Sequence, residues 1–267
     1  MDMFTPREAL EAAIARTPGD LALHMAYADC LIESGDSRGE FIRLCLAAEE
    51  PCVSKKERRL RNGVADQYRI QHQTEWLGEL AEFLLPPDES RRRVGSRPRV
   101  LLEWRRGWIV GITCYNLNGD LLEAMHMHPR MVFLETLAVD ANSYRRPLAI
   151  RGNWLEDYRH PNREPYLFLK HLPTTLIRVL IQDTDFQDLG VMILLQSPCF
   201  TQLQSLSLTH CNITDDGAAM LVKHPHTPKL ESLRLEQNLI SPIGIELLAE
   251  VGVRISELQR FGRLEDL

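Results

Sequence analysis

A period of 27 residues in the second half of the chain constrains its fold more than any other feature. Leu203, Leu206, Leu208, Cys211 and Ile213 recur as Leu230, Leu233, Leu235, Asn238 and Ile240, each pair 27 positions apart. One step earlier the same phases hold Leu176, Val179, Ile181, Thr184 and Phe186. The other half of the unit repeats too: Gly190, Gly217 and Gly244; Leu194, Leu221 and Leu248; Pro198, Pro225 and Gly252. A fixed period of this length marks a unit that cannot bury its apolar face alone and must stack on copies of itself. The expected product is a solenoid without a single globular centre.

Each half of the unit has its own physics. The L-x-L core is a short strand whose alternate residues point inward. The Asn or Cys that follows lies where the chain turns, and there a side chain satisfies buried backbone groups. The other half is a helix. Ser241-Pro242 is an N-cap followed by proline at the first helical position, and Thr214-Asp215-Asp216 is a cap with acids in the first turn. Ala218, Leu221 and Val222, then Ile245, Leu247 and Leu248, form the inner helical face, and Pro198, Pro225 and Gly252 stop the helices.

The pattern L-x-x-L-x-L-x-x-N/C-x-L resembles leucine-rich repeats. With its helical back, the unit over 176–250 is similar to the ribonuclease-inhibitor class of those repeats. The resemblance implies an α/β solenoid with parallel strands on the concave face and helices on the convex face. An earlier unit starts at Leu134, Leu137, Val139 and Asn142. It is longer than the period, and residues 143–166 are read as an irregular excursion. Trp108–Cys114 is expected to form the first strand and 118–126 its helix. Residues 254–264 break the phase and read as a C-terminal cap.

The first 88 residues differ in character. Residues 7–16 are strong helix formers, and Leu21, Met25, Ala28, Cys30, Leu31 and Ile32 make an apolar stripe at helical spacing. Phe41, Ile42, Leu44, Cys45 and Leu46 predict a third helix, and 54–85 one or two more. Tyr27-Ala-Asp-Cys-Leu-Ile-Glu-Ser-Gly-Asp36, followed by Arg38-Gly-Glu-Phe-Ile-Arg-Leu44, resembles the bacterial repeat-companion domain over about residues 5–50. Cys30 stands where that family usually has Trp. Trp104-Arg-Arg-Gly-Trp-Ile109 is similar to the segment that leads into the repeats of such proteins. The resemblance implies an N-terminal helical cap or adaptor and no catalytic group. The expected domains are therefore an all-α module over 1–88, a basic linker over 89–99 and a repeat domain over 100–267.

Charge and cysteine usage narrow the function. Lys plus Arg is 31 and Asp plus Glu is 37, a net charge of −6, which argues against a dedicated nucleic-acid binder. One basic stretch remains: Arg91, Arg92, Arg93, Arg97, Arg99, Arg105 and Arg106. It is read as a solvated linker, with phosphate contact as the alternative. No apolar run reaches the roughly 20 residues of a membrane helix, and the N-terminus has no leader pattern, so the expected compartment is the cytosol. Six cysteines without a CxxC pair fit reduced thiols. His126/His128 and His224/His226 lack the four-ligand constellation of a zinc site. Asp29 and Glu33 have no nucleophile or base beside them and read as ion-pair or capping residues. No catalytic, cofactor or metal residue is assigned.

Phase alignment puts the residues between the leucines in rows on the concave face: Thr136, Arg178, Ser205, Ser232; Ala138, Leu180, Ser207, Arg234; Asp140, Gln182, Thr209, Glu236; Ala141, Asp183, His210, Gln237. A rigid polar sheet with neighbours about 4.8 Å apart suits a protein or peptide partner and offers no deep pocket for chemistry. The expected function is a non-enzymatic protein-interaction module. Its candidate partner-binding residues are Asp140, Arg178, Gln182, Asp183, Thr209, His210, Arg234, Glu236 and Gln237. The alternative is a nucleic-acid adaptor using the Arg91–Arg106 stretch.

Overall fold

The computed structural model describes residues 5–85, 100–114, 125, 128, 131–140, 169 and 172–251. The linker 89–99, the helix expected over 118–126 apart from Met125, the excursion 143–166 and the cap 254–264 lie outside the described residues. Two compact units are present: Met1–Leu85 with Glu103–Ile109, and Pro86–Leu102 with Val110–Leu267. The segment 103–109 therefore packs with the helices.

In the first unit α1 (Pro6–Arg16), α2 (Leu21–Glu33), α3 (Arg38–Glu49) and α4 (Lys55–Leu77) follow one another, and a single 3-10 turn leads to α5 (Ala81–Leu84). Local chemistry sets the boundaries. Thr5 and Glu8 form a reciprocal capping box on α1, Asp20 accepts the N–H groups of Ala22 and Leu23, and Ser54 caps α4. At the end of α2 the Asp36 N–H donates to the Leu31 carbonyl and the Gly35 N–H to that of Ile32. This is a Schellman closure, and Gly35, at φ +75°, takes the left-handed position that favours glycine. Gly39 then lets α3 approach α2: a Cβ there would lie 2.5 Å from the Ala28 carbonyl oxygen.

The resemblance motif is thus a packing device. Its Tyr27 is buried and donates to Glu11 at 2.7 Å. Asp29 pairs with Arg43 at 2.7 Å. Arg38 is 2% exposed and binds Asp36 through Nε at 2.9 and 3.1 Å, with a further contact from Nη2. Phe41 stacks on Trp76, whose indole N–H donates to Ser37.

Within the same unit lies the tip joining β1 (Val100–Arg105) to β2 (Trp108–Cys114). Arg106 and Gly107 both have positive φ, 46° and 83°, the two-residue turn that matches strand twist. Gly107 sits against Ile42, so a Cβ there would meet its side chain at 2.6 Å. The Arg106 guanidinium grips the Glu49 carboxylate at 2.6–3.0 Å and the Pro18 carbonyl at 3.0 Å. Trp108 stacks on Tyr27, and Trp104 packs edge-on against Phe41 and Trp76. The expectation that Trp108–Cys114 forms the first strand is corrected: β1 precedes it in the sheet, and its alternation over Leu102-Glu103-Trp104-Arg105 is that of a half-buried strand.

In the second unit β3 (Thr136–Asp140), β4 (Arg178–Gln182), β5 (Ser205–Thr209) and β6 (Ser232–Arg234) continue the sheet in chain order, each parallel to the last. The helices α6 (Gln187–Leu195), α7 (Asp215–Lys223) and α8 (Pro242–Ala249) follow β4, β5 and β6. The paired strand positions keep the repeat register: Val179 pairs with Leu206 and that with Leu233, and Ile181 pairs with Leu208. These residues, with Phe186, Leu194, Leu221 and Leu248, are at most 3% exposed. The fold is the expected one: an all-helical N-terminal region, then a mostly parallel sheet layered with helices.

Two side-chain series join the repeats. Asn238 Oδ1 accepts the N–H groups of Cys211 and Ile213 at 2.8 and 3.2 Å, and its Nδ2 donates to the carbonyls of Leu208 and Leu235 at 2.6 and 2.8 Å. One repeat earlier the Cys211 thiol lies 3.3 Å from the Ile181 carbonyl oxygen and 3.7 Å from the Thr184 hydroxyl. The second series runs between helix starts. Asp188 accepts from the Thr214 N–H and hydroxyl at 2.9 and 2.6 Å, and from the Gly217 N–H at 3.1 Å. Asp215 does the same for Ser241, at 2.8 and 2.6 Å. The periodic glycines now have a cause. A Cβ on Gly217 or Gly244 would meet the aspartate of the preceding repeat at 2.3 or 2.2 Å.

Two outcomes follow. Asn238→Ala strands two N–H and two carbonyl groups in a part-buried turn, and should lower stability by about 2–3 kcal/mol in urea unfolding. A loss under about 0.5 kcal/mol, the scale of an ordinary surface change, would mean that water replaces the amide. For Asp36, burial raises the pKa, but hydrogen bonds and charge from Arg38 outweigh it and leave the carboxyl below its ordinary value. A lowered folded value stabilises the folded state above the ordinary carboxylate range, and that stabilisation fades as pH falls through the folded value. Asp36→Asn should therefore lower the thermal midpoint at pH 7 and flatten its dependence between about pH 5 and about pH 2.

Candidate functional site

The helix-free face of the repeat sheet is built by strand alternation. Along β4, Arg178, Leu180 and Gln182 are exposed while Val179 and Ile181 are buried. Pairing sets the rows: Thr136, Arg178, Ser205 and Ser232 in one, Ala138, Leu180, Ser207 and Arg234 in the next, and Asp140, Gln182 and Thr209 in the third. These are the rows read from the 27-residue phase.

Just past the strands, Asp183, His210 and Gln237 share one unusual backbone state, with φ of 54°, 55° and 58°. Asp and His are among the residues that enter this left-handed region most readily. The ladder still continues through them: the Asp183 N–H donates to the Thr209 carbonyl, and the His210 N–H to that of Glu236. The turn brings the Asp183 carboxylate onto His210 Nδ1 across one strand spacing.

Four side chains on β5, β6 and the turn after β6 form one polar chain. The Ser207 and Thr209 hydroxyls are 3.2 Å apart, Thr209 donates to Glu236 Oε2 at 3.2 Å, and Arg234 Nε donates to Glu236 Oε1 at 3.0 Å. Glu236 is 8% exposed, and these donors satisfy carboxylate oxygens that the sheet shields from water. The basic partners stand proud of the acids: the Arg234 and His210 side chains are 55% and 58% exposed, those of Glu236 and Asp183 10% and 11%. Gln182 and Gln237 are exposed, and Asp140 is half-buried at the β3 end. Leu180, 36% exposed, belongs to this surface as well, whereas Ser207 of the same row is buried at 7% exposure. Both stood in the aligned rows, but neither carries the charge or long polar group that draws attention in a sequence.

Two histidines near the end of α7 make packing contacts. His226 Nε2 lies 3.0 Å from the Leu203 carbonyl oxygen, and His224 packs edge-on against Phe200. Among the described residues no group of three His, Cys, Asp or Glu side chains is arranged to hold a metal ion, and no helix is long and apolar enough to cross a membrane. Burial pushes the Cys211 and Cys114 thiols up to about 12. Arg106 of the basic stretch is 15% exposed and committed to Glu49; Arg91, Arg92, Arg93, Arg97 and Arg99 lie outside the described residues.

Comparison with known proteins gives a limited set of likenesses. The family model described as Leucine Rich repeat matches residues 201–222. A crystal structure of a protein from Bacteroides fragilis aligns with 55% of this chain and 39% of its own, at 21% identity and a TM-score of 0.40. The chain thus spans about two fifths of that protein's length. No match was found among curated proteins. The family match falls on β5 and nearly all of α7, inside the 27-residue phase. Residues 201–222 thus match a leucine-rich repeat, and the in-register 27-residue units around them have the architecture of such a repeat array.

Thiol labelling tests the burial assignments. Cys52 is exposed, whereas Cys114, Cys199 and Cys211 are buried. At pH 8 a soluble thiol reagent should label Cys52 first, and the three buried thiols should react only on unfolding. Rapid labelling of Cys211 in the folded chain would contradict its place in the repeat turn.

Proposed function

We propose that the chain is a non-enzymatic interaction module that binds a protein or peptide on the helix-free face of its repeat sheet, the face read from the sequence as concave. Leucine-rich repeats are generally an interaction fold, and the 201–222 match supports that class. The observation that carries the finer reading is the set of in-register rows: Arg178, Gln182 and Arg234 extend into solvent from strands that cannot shift without breaking the core. Such a surface is preorganised, so little ordering entropy opposes binding. Asp140, Asp183, Thr209, His210, Glu236 and Gln237 complete the proposed surface.

The helical unit is proposed to act as the N-terminal adaptor that its companion-domain resemblance implies, and the cytosol is the proposed compartment. Phosphate binding by the basic stretch is the weaker reading, since Arg106 is already neutralised by Glu49.

Affinity capture from the native host, followed by mass spectrometry, tests the proposal. Arg234→Ala with Glu236→Ala should lose a specific protein partner while the thermal midpoint stays within a few degrees. Retention of every partner by that double variant would reject the site. A salt-sensitive shift of random RNA or DNA, abolished by neutralising Arg91, Arg92 and Arg93, would instead favour the phosphate reading.

A further inference from the structure

The charges on the helix-free face are arranged unequally in depth. Glu236 and Asp183 are sunk against the sheet and hold partners, whereas the bases above them reach solvent. Glu236 takes hold of Arg234 through Nε alone, leaving both terminal guanidinium nitrogens without a partner among the described residues. Thr209 anchors Glu236 from the other side. Arg234 is therefore a positioned fork rather than a free tether, and a planar fork suits bidentate binding of a carboxylate. Arg178 is exposed, and its guanidinium has no partner among the described residues. Leu180, on the row of Arg234 and one step along β4 from the row of Arg178, supplies exposed apolar surface beside them.

Strand spacing fixes the separation. Arg178 and Arg234 stand two strands and two residues apart, which places their Cα atoms roughly 12 Å from each other. An extended peptide advances about 3.3 Å per residue and turns alternate side chains to one face, so two carboxylates four residues apart would reach both.

We propose that the partner segment is an acidic peptide, with two Asp or Glu side chains four residues apart seated on Arg178 and Arg234 and an aliphatic side chain between them on Leu180. Glu236 acts as a positioning residue for Arg234. This rests on the helix-free face being the binding surface.

A random 12-residue peptide library displayed on phage, selected on the full chain, tests it. Enriched peptides should carry paired acids at that spacing. Their affinity, read by fluorescence anisotropy, should fall at least tenfold with R178E/R234E and fall several-fold between low and moderate salt. R234K keeps the charge but not the fork, and should lose part of the affinity. Peptides with the acids changed to Lys should bind R178E/R234E better than the unaltered chain. Circular dichroism of each variant checks the fold. Enriched peptides without an acidic excess that still depend on Arg178 and Arg234 would overturn the acidic class and leave the binding face standing. Enriched peptides indifferent to R178E/R234E, or no enrichment at all, would overturn both.

Discussion

The repeat unit depends on how backbone groups are satisfied where each parallel strand turns toward its helix. Such a turn leaves N–H and carbonyl groups facing inward, away from water, and each one left unpaired is costly. Asn238 meets four of them with one amide, and Cys211 meets the equivalent carbonyl with a thiol. Because both bonds reach into the preceding repeat, they also lock register. The leucine rows stack only when that register holds, so core burial and turn chemistry select the same arrangement.

The aspartate series does for the helices what Asn238 does for the strands. Asp188 and Asp215 sit in the first turns of α6 and α7, where a carboxylate already complements the helix dipole. Each also binds the cap residue of the next helix, so one charge serves two repeats. Gly217 and Gly244 are the space that this arrangement requires. The helix-free face inherits its rigidity from both series, and its side chains occupy positions that the repeat spacing dictates.

Much of this was legible from residues alone because periodicity is a global signal. The strand rows, the inward leucines and the helix stops at Pro198 and Pro225 all follow from one offset. What escaped was long-range or sterically silent. The Arg106–Glu49 grip joins residues 57 positions apart, and no local pattern announces it. The left-handed turns at Asp183, His210 and Gln237 use no glycine, so the usual marker of positive φ is missing. Asp215 read as a first-turn acid of its own helix, and its reach to Ser241 needed the spacing between helices. The burial of Glu236 was hidden for the same reason: its position on the face was legible, but not the Thr209 and Arg234 contacts that draw it down.

The central claim is that partners meet the strand side of the repeats and not the helix side. Leu180 on β4 and Leu189 on α6 are exposed to similar degrees, 36% and 41%, on opposite layers of one repeat. A photo-crosslinking amino acid placed at each position in turn, in the native host, compares the two sides directly. The account requires a discrete crosslinked partner from position 180 and none from position 189. A partner captured from 189 alone would place the binding surface on the helices and contradict it.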